Sequence, residues 1–311
     1  MKILLISSYI FGYMDFAVEE MKRQGHEVEV LYYEDAPLKF EYKNIFHKIS
    51  AGIGKLFGEN AKKKAREKAL KKTLSNKAFD YTLIIHGQYL NQETHVFLKS
   101  ISKKYVAYFF DSLAKMPQQK TIAPHFDKVF SYEPIDCEVE GYQFITNFIP
   151  STNYKSSEYD YTVFNVGGID ERYSKIQQLA SYLKNHNISF KFMLFNQKKF
   201  DNFQQIKEKL TVHEVLPYIK SCKIMLDIQR PIQNGLTFRV FEAIGNEKKL
   251  ITTNKDIVNY EFYHPQNILL LDWDKMHIPK EFFEVDYVPV SDEFVTPYKV
   301  ENWVKKVLYT K

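Results

Sequence analysis

Short, almost uninterrupted apolar runs recur along this chain, and longer stretches with helical spacing separate them. Lys2-Ile-Leu-Leu-Ile-Ser-Ser8 is the first such run. Tyr105-Val-Ala-Tyr-Phe-Phe-Asp111 and Lys223-Ile-Met-Leu-Asp-Ile228 repeat the pattern. A strand that is apolar at successive positions has no solvent face, and such strands belong to parallel sheets covered by helices on both sides. Parallel neighbours need a crossover, usually a helix, so run–helix–run order predicts a doubly wound α/β sheet. The opening unit reads as strand 2–8, loop 9–13, a helix from about Asp15 to Gln24 capped by Gly25, and strand His26–Tyr33. No G-x-G-x-x-G follows the first strand, which argues against a tightly held NAD or FAD.

The alternation runs through the chain twice. Strands are expected at 80–86, 105–111, 126–132 and 143–146, with a helix around 94–102. A polar, turn-rich stretch at 150–159 reads as a linker. A second series then begins with Tyr161-Thr-Val-Phe-Asn-Val-Gly-Gly168. It continues with a helix from Asp170-Glu-Arg172 to about Lys184, strands at 190–195, 223–228, 250–253 and 267–271, and helices at 213–220 and 300–308. The 311 residues are long for one core and suit two domains of about 150 residues each. We place these at 1–152 and 158–295, followed by a terminal helical segment, 296–311.

The most specific stretch is Arg230-Pro-Ile-Gln-Asn-Gly-Leu-Thr-Phe-Arg-Val-Phe-Glu-Ala-Ile-Gly245, followed by Lys249-Leu-Ile-Thr-Thr-Asn254. It reads as strand end, glycine turn, amphipathic helix and new strand. A helix start behind a glycine turn offers N–H groups and a partial positive charge to an anion. A carboxylate one turn further in, Glu242, accepts hydrogen bonds from sugar hydroxyls. A phosphate seat beside a hydroxyl acceptor suits a nucleotide sugar. The plain alternative is a glycine turn, a capped helix and exposed charges.

This run resembles the donor-binding segment of GT-B glycosyltransferases, in which a glycine loop precedes a helix of the type (F/L)EA(L/M/I)(A/G) and a strand of the type (P/K)(L/V)IT(T/S). Phe241-Glu242-Ala243-Ile244-Gly245 and Leu250-Ile251-Thr252-Thr253-Asn254 carry the likeness. The fuller string is similar to a bacterial group that makes lipopolysaccharide or capsule. In many retaining members a Glu stands eight residues before the helix Glu, and here that position is Asn234. The resemblance implies two Rossmann-like doubly wound domains facing across a cleft, with the terminal helix returning toward the first. It implies that Asn234, Gly235, Leu236 and Thr237, with Arg230 or Arg239, hold phosphate, that Glu242 takes ribose hydroxyls, and that Gly167, Gly168 and Arg172 approach the donor phosphates. For the glycine pair, a tight turn at positive φ is the competing reading. Gly12 and Tyr13, in the first loop, are implied at the acceptor or donor sugar, an ordinary βα turn being the alternative; Gln88, following the strand end at His86, is placed with the acceptor by the strand-end rule.

Open α/β sheets bind ligands outside the carboxyl ends of their strands, where His86, Gln88, Asp111 and Glu133 fall. Transfer to a hydroxyl calls for a base, for which Asp111 is first choice, then His86, then Glu133. A helix cap at Asp111 and a packing histidine at His86 are the alternatives. Arginine suits phosphate because its planar fork donates two bonds at once.

Charge is uneven. The whole chain is +5, but 43–77 holds eleven Lys/Arg and two Glu. Anionic lipid, nucleic acid and plain solvent are the surfaces such a segment suits. Sparse aromatic residues give no base-stacking platform, so nucleic acid is set aside, and an anionic membrane surface is kept as a partner. Two cysteines, Cys137 and Cys222, with no Cys/His cluster argue against structural zinc or a disulfide framework. No P-loop, H-E-x-x-H or G-x-S-x-G occurs, and Asp272-Trp-Asp274 sits where a turn is expected, so neither a metal nor a cofactor beyond the donor substrate is expected. No apolar stretch reaches the ~18 residues of a membrane span, and the first run is too short for a signal peptide. The expectation is a cytoplasmic glycosyltransferase, peripheral at the inner face of the membrane, moving sugar from a nucleotide donor to a saccharide or lipid-linked acceptor. Its rivals are a sugar-nucleotide epimerase or hydrolase of the same build and a two-lobed sugar-binding protein.

Overall fold

The structure, a computed structural model, describes residues 1–35, 38, 61–150, 158–195 and 203–310. Most of the expected linker at 150–159, and residues 43–60 of the basic segment, therefore lie outside the described residues. The chain forms two compact units. The first comprises Met1–Ile10 and Ala17–Ile145, and the second Phe11–Phe16 and Thr146–Lys311.

The first unit is built on β1 (Lys2–Ser7), β2 (Glu27–Tyr32), β3 (Phe79–Ile85), β4 (Ser102–Phe109), β5 (Lys128–Ser131) and β6 (Gln143–Phe144). All pair in parallel, in the order β2-β1-β3-β4-β5-β6. The helices, in chain order, are α1 (Tyr13–Arg23, in this unit from Ala17 on), α2 (Ala61–Leu74), α3 (Gln92–Ser100), α4 (Gln118–Ile122) and α5 (Pro134–Glu140). Gly25, at φ +85°, follows α1 in the left-handed conformation that glycine tolerates. The α3 start is two residues earlier than the apolar spacing indicates, because Asn91 accepts the Thr94 amide at 2.8 Å and caps it there. Ser102, expected at the end of that helix, opens β4 instead. The short α5 was not anticipated; Pro134 fits its first turn and Gly141, at φ +73°, closes it.

The second unit contains β7 (Tyr161–Gly168), β8 (Phe190–Phe195), β9 (Gln204–Ile206), β10 (Cys222–Asp227), β11 (Lys249–Thr252) and β12 (Ile268–Leu270), parallel in the order β12-β11-β10-β7-β8-β9. Its helices are α6 (Tyr173–Asn185), α7 (Val212–Lys220), α8 (Phe238–Gly245), α9 (Lys280–Glu284), α10 (Asp292–Val295) and α11 (Val300–Tyr309). Alternation along the strands sorts two cores. Phe164, Met225 and Leu250 face Val215, Ile219, Val240 and Phe241, while Val163, Ile224, Leu226 and Ile251 face Ile176, Leu179 and Leu183. Both faces are covered, which is why these strands are apolar at successive positions. The Trp303 indole of α11 is buried in this unit and donates to the Thr146 carbonyl at 3.1 Å.

Each sheet has one place where the chain winds away in both directions: between β1 and β3 in the first unit, and between β7 and β10 in the second. Loops leaving adjacent strand ends diverge there and open a crevice for ligand.

At the end of β3 the backbone is closely packed. A Cβ on Gly87 would lie 2.9 Å from Ile84 Cγ2 and 3.0 Å from His95 Cε1. Neither neighbour is the end of a flexible chain. Gly87→Ala is expected to destabilise the protein by ~1–3 kcal/mol, read from the midpoint of urea unfolding.

Candidate functional site

Two strand ends frame the crevice of the second unit. On one side β7 ends in Gly167 and Gly168, extended and paired with Leu194 and Phe195 of β8. Neither has positive φ, so the tight-turn reading does not hold. An added Cβ would meet nothing within 4 Å at either glycine, leaving bare backbone toward open space. On the other side β10 ends in Asp227, and residues 228–237 lead into α8.

That loop is fixed through its own carbonyls. Asn147 Nδ2 donates to Leu236 O at 2.9 Å, Asn254 Nδ2 donates to Asn234 O at 2.9 Å, and Gln229 Nε2 donates to Gln233 O. Gly235 and Leu236 are buried. Thr237 has the extended backbone of an N-cap, yet its side chain caps nothing; its hydroxyl donates to Asp227 Oδ1 at 2.8 Å. Asp227 also accepts from Thr252 Oγ1 at 3.1 Å, and burial raises its pKa.

From the first turns of α8, Arg239 reaches the end of β7, where Nη2 donates to Val166 O at 3.0 Å. Its Nη1 stands 3.5 Å from Oε2 of Glu242, which is 2% exposed. Both of these atoms are buried without a hydrogen-bond partner. Their contact is an ion pair without a hydrogen bond, and a buried charged pair of this kind in a crevice is a candidate binding site. The other carboxylate oxygen, Oε1, accepts from the Tyr13 hydroxyl at 2.6 Å. Tyr13 belongs to the second unit, and its ring stacks on Phe238 at 3.9 Å. Burial, then the neighbouring carboxylate, holds the Tyr13 hydroxyl well above its ordinary pKa, and burial raises that of Glu242. Gly12, at φ +83°, precedes it.

Arg172 and Arg230 converge on one acid. Asp170 accepts from Arg172 Nε at 2.9 Å and Nη2 at 2.6 Å, and from Arg230 Nη2 at 2.8 Å. These bonds hold the Asp170 carboxyl well below its ordinary pKa despite its burial. Arg172 Nη1 also donates to Ile228 O at 2.9 Å, so the pair ties the β7 loop to the β10 loop.

Among the sequence candidates, the structure thus brings Arg239, Glu242 and Tyr13 together, and sets Arg172 and Arg230 around Asp170. Asp170, Asp227, Asn147 and Asn254 were missed. The last residue of a strand ending in Asp and an Asp directly after Gly167-Gly168-Ile169 were visible signals. Asn147, distant in sequence, left none.

The first unit gathers a second set at the ends of β3 and β4. His86 is 5% exposed, with φ +55°. Its Nδ1 lies 2.6 Å from Gln119 Nε2, and its Nε2 lies 3.5 Å from Asp111 Oδ2. Asp111 Oδ1 meets Lys115 Nζ at 2.5 Å. Asp111 is therefore paired with neighbouring side chains one turn on and across the strand ends. Glu133, 1% exposed, sits at the start of α5, where its amide donates to Ser131 Oγ at 3.1 Å. The Gln88 amide has both polar atoms buried without a partner among the described residues. Gln119 and Lys115 lie on stretches with no apolar period and were missed.

Among the described residues no His, Cys, Asp and Glu side chains group as a metal site, and no helix is long and apolar enough to cross a membrane. Asp274 turns back to bond Asp272 Oδ1 through its amide at 3.0 Å.

No protein-family model matches the chain, and no curated protein matches it. Solved structures do. The UDP-GlcNAc 2-epimerase of Neisseria meningitidis bound to UDP-GlcNAc is 10% identical, covers 99% of this chain and 98% of its own, and superposes with a TM-score of 0.56. The Methanocaldococcus jannaschii UDP-GlcNAc 2-epimerase, in complex with UDP-GlcNAc and UDP, is 10% identical over 99% of both chains, with a TM-score of 0.52. MurG of Acinetobacter baumannii is 7% identical over 97% of this chain and 94% of its own, with a TM-score of 0.46. At 10% identity the epimerase likeness is one of fold. The chain is an α/β protein of two Rossmann-like, doubly wound units of the GT-B type.

Burial lowers the pKa of His86 to about 4, Asp111 opposing and Lys115 adding to the effect. His95 is lowered to about 4 likewise, with His125 contributing. It is fully buried between the Tyr105 hydroxyl and the Gly87 carbonyl. Both rings are neutral when folded but take protons near 6.5 when unfolded, so the unfolded chain binds more protons between these values. Stability is full above 6.5 and is expected to fall as pH drops from 6.5 toward 4. Each ring contributes at most ~1.4 kcal/mol per pH unit. Urea unfolding across this window should show a shallower slope for His95→Gln than for the wild type.

Proposed function

We propose that this protein is a glycosyltransferase that moves a sugar from a nucleotide donor to a hydroxyl of a saccharide or lipid-linked saccharide, in the synthesis of a bacterial surface polysaccharide. The observation that carries the reading is the buried Arg239–Glu242 ion pair beside the start of α8, where no side chain caps the helix, at the β7/β10 crevice. A departing diphosphate or phosphate gains negative charge as the anomeric C–O bond breaks. The α8 dipole and the Arg239 guanidinium meet that charge where it forms. Glu242 accepts a donor hydroxyl in place of the Tyr13 hydroxyl. The bare backbone of Gly167 and Gly168 lets phosphate oxygens approach closely. Arg172 and Arg230, held by Asp170, keep both loops in register.

The acceptor hydroxyl is assigned to the strand ends of the first unit. As its oxygen bonds to the anomeric carbon, its proton passes to Asp111 or His86, with Glu133, after the adjacent strand β5, as the third candidate and Gln88 left as an amide for sugar hydroxyls. The bacterial polysaccharide pathway rests on the resemblance of residues 230–254. A cytoplasmic enzyme peripheral to an anionic membrane fits the exposed Lys64, Lys68 and Lys72 of α2, one turn apart along one face. The reading needs no cofactor beyond the donor.

Both epimerases above are described with UDP-GlcNAc, so it is the first donor to test, followed by UDP, GDP, ADP, TDP and CMP in a thermal-shift panel. Binding at 100 times Kd raises stability by ~2.7 kcal/mol. Arg239→Ala and Glu242→Gln are expected to remove the shift while leaving the unliganded melting profile cooperative. If neither variant weakens nucleotide binding, the site assignment is wrong. Release of UDP only when acceptor is added supports transfer; conversion of UDP-GlcNAc without acceptor identifies an epimerase or hydrolase instead.

A further inference from the structure

His86 follows β3 and Asp111 follows β4, strands that pair directly in the first unit. The His86 imidazole stands between two fixed groups. On one side Gln119 of α4, fully buried, brings its amide Nε2 to 2.6 Å from the ring Nδ1. On the other side the ring Nε2 lies 3.5 Å from Asp111 Oδ2, an ionic-range contact in which no hydrogen bond forms. The Phe110 ring packs against the imidazole, with centroids 3.9 Å apart. A neutral imidazole has one N–H and one lone pair, an amide nitrogen only donates, and a carboxylate only accepts. Both neighbours therefore call for the same tautomer: the lone pair on Nδ1 facing Gln119, the proton on Nε2 facing Asp111. The other tautomer sets N–H against N–H on one side and a lone pair against a carboxylate on the other. Turning the Gln119 amide end for end relieves only the first of these conflicts.

His86 is thus left with no lone pair for taking a proton. It keeps an N–H to give, since its Nε2 is buried without a hydrogen-bond partner among the described residues. An N–H and a carboxylate oxygen side by side are complementary to a hydroxyl, which accepts from the one and donates to the other. We propose that Gln119 is a positioning residue that fixes His86 as a hydrogen-bond donor, so that Asp111, and not His86, is the base for the acceptor hydroxyl. His86 Nε2–H holds the hydroxyl oxygen through one lone pair. The other lone pair bonds to the anomeric carbon, whose bond to the nucleotide breaks with its electron pair going to the leaving phosphate. The hydroxyl proton passes to Asp111 Oδ2, while Lys115 holds Oδ1. The reaction rests on the glycosyltransferase reading above; the tautomer is measurable in the free protein.

The experiment records the side-chain nitrogens of His86 by NMR in the isotope-labelled full chain near neutral pH, assigned by their loss in His86→Gln. An unprotonated Nδ1 and a protonated Nε2 are expected in the wild type. Gln119→Glu, which accepts at the same place, is expected to bring a proton to Nδ1. Should that variant not fold, Gln119→Leu is expected to narrow the difference between the two nitrogens. A protonated Nδ1 in the wild type, or an unchanged pattern in the folded variant, overturns the inference. Acceptor-dependent release of UDP from UDP-GlcNAc tests the base. Asp111→Asn is expected to lose about a hundredfold or more in kcat. His86→Gln is expected to lose about tenfold, the worth of one hydrogen bond to the hydroxyl. Gln119→Leu is expected to lower kcat with KM within about threefold of wild type. A loss in His86→Gln equal to or greater than that in Asp111→Asn overturns the assignment of the base. If no nucleotide of the thermal-shift panel binds, the glycosyltransferase reading fails and the base assignment with it, while the nitrogen pattern still decides the role of Gln119.

Discussion

Parallel strands cannot turn directly into one another. Each neighbouring pair needs a crossover that runs over one face of the sheet, and both sheets here are parallel throughout. From that constraint the rest follows. Helices cover both faces, the central strands become apolar at successive positions, and every connection that leaves a carboxyl end lies on the same edge of its sheet. Where the winding reverses, between β7 and β10, two such connections part. The crevice is a by-product of topology, and the chain has placed its unusual chemistry there: a glycine pair without side-chain cover, a helix start with no side-chain cap, and a buried Arg–Glu ion pair.

The charges at this edge divide into two sorts. Asp170 is fully used, bridging Arg172 and Arg230 and thereby joining the loops after β7 and β10. Its depressed pKa is the mark of a structural ion pair. Glu242 and Asp227 are buried acids with raised pKa values, held by hydroxyl donors and, at a distance, by Arg239. Hydroxyl partners can be exchanged for those of a sugar at small cost, whereas a bidentate arginine cannot. The same distinction appears in the first unit, where Asp111 is held by Lys115 while His86, neutral by burial, is aligned by Gln119.

Much of the fold was legible because burial on two faces writes itself into consecutive residues. The runs at 2–8, 105–111, 161–168 and 223–228 coincide with β1, β4, β7 and β10 to within a few residues. β9, α5 and α9 were not, because three to seven residues are too few to show a period. The position of α8 was readable from its glycine turn and its FEA core. The state of its N-cap was not: Thr211 and Thr237 are the same residue type before a helix, yet Thr211 caps α7 and Thr237 turns its hydroxyl to Asp227 instead.

The sequence by itself determined an alternating α/β chain in two series and put Arg239 and Glu242 on one helix behind a glycine loop. Local spacing suffices for that, since both facts depend on neighbours within a few turns. Only the tertiary structure decided which groups meet: Tyr13 with Glu242, Asn147 with Leu236, Arg172 with Ile228, and Asp227 with Thr237 and Thr252. These pairs are separated by 229, 89, 56, 10 and 25 positions. A hydrogen bond depends on position to within a few tenths of an ångström, and across such separations that precision comes from the packed sheet, not from the order of residues.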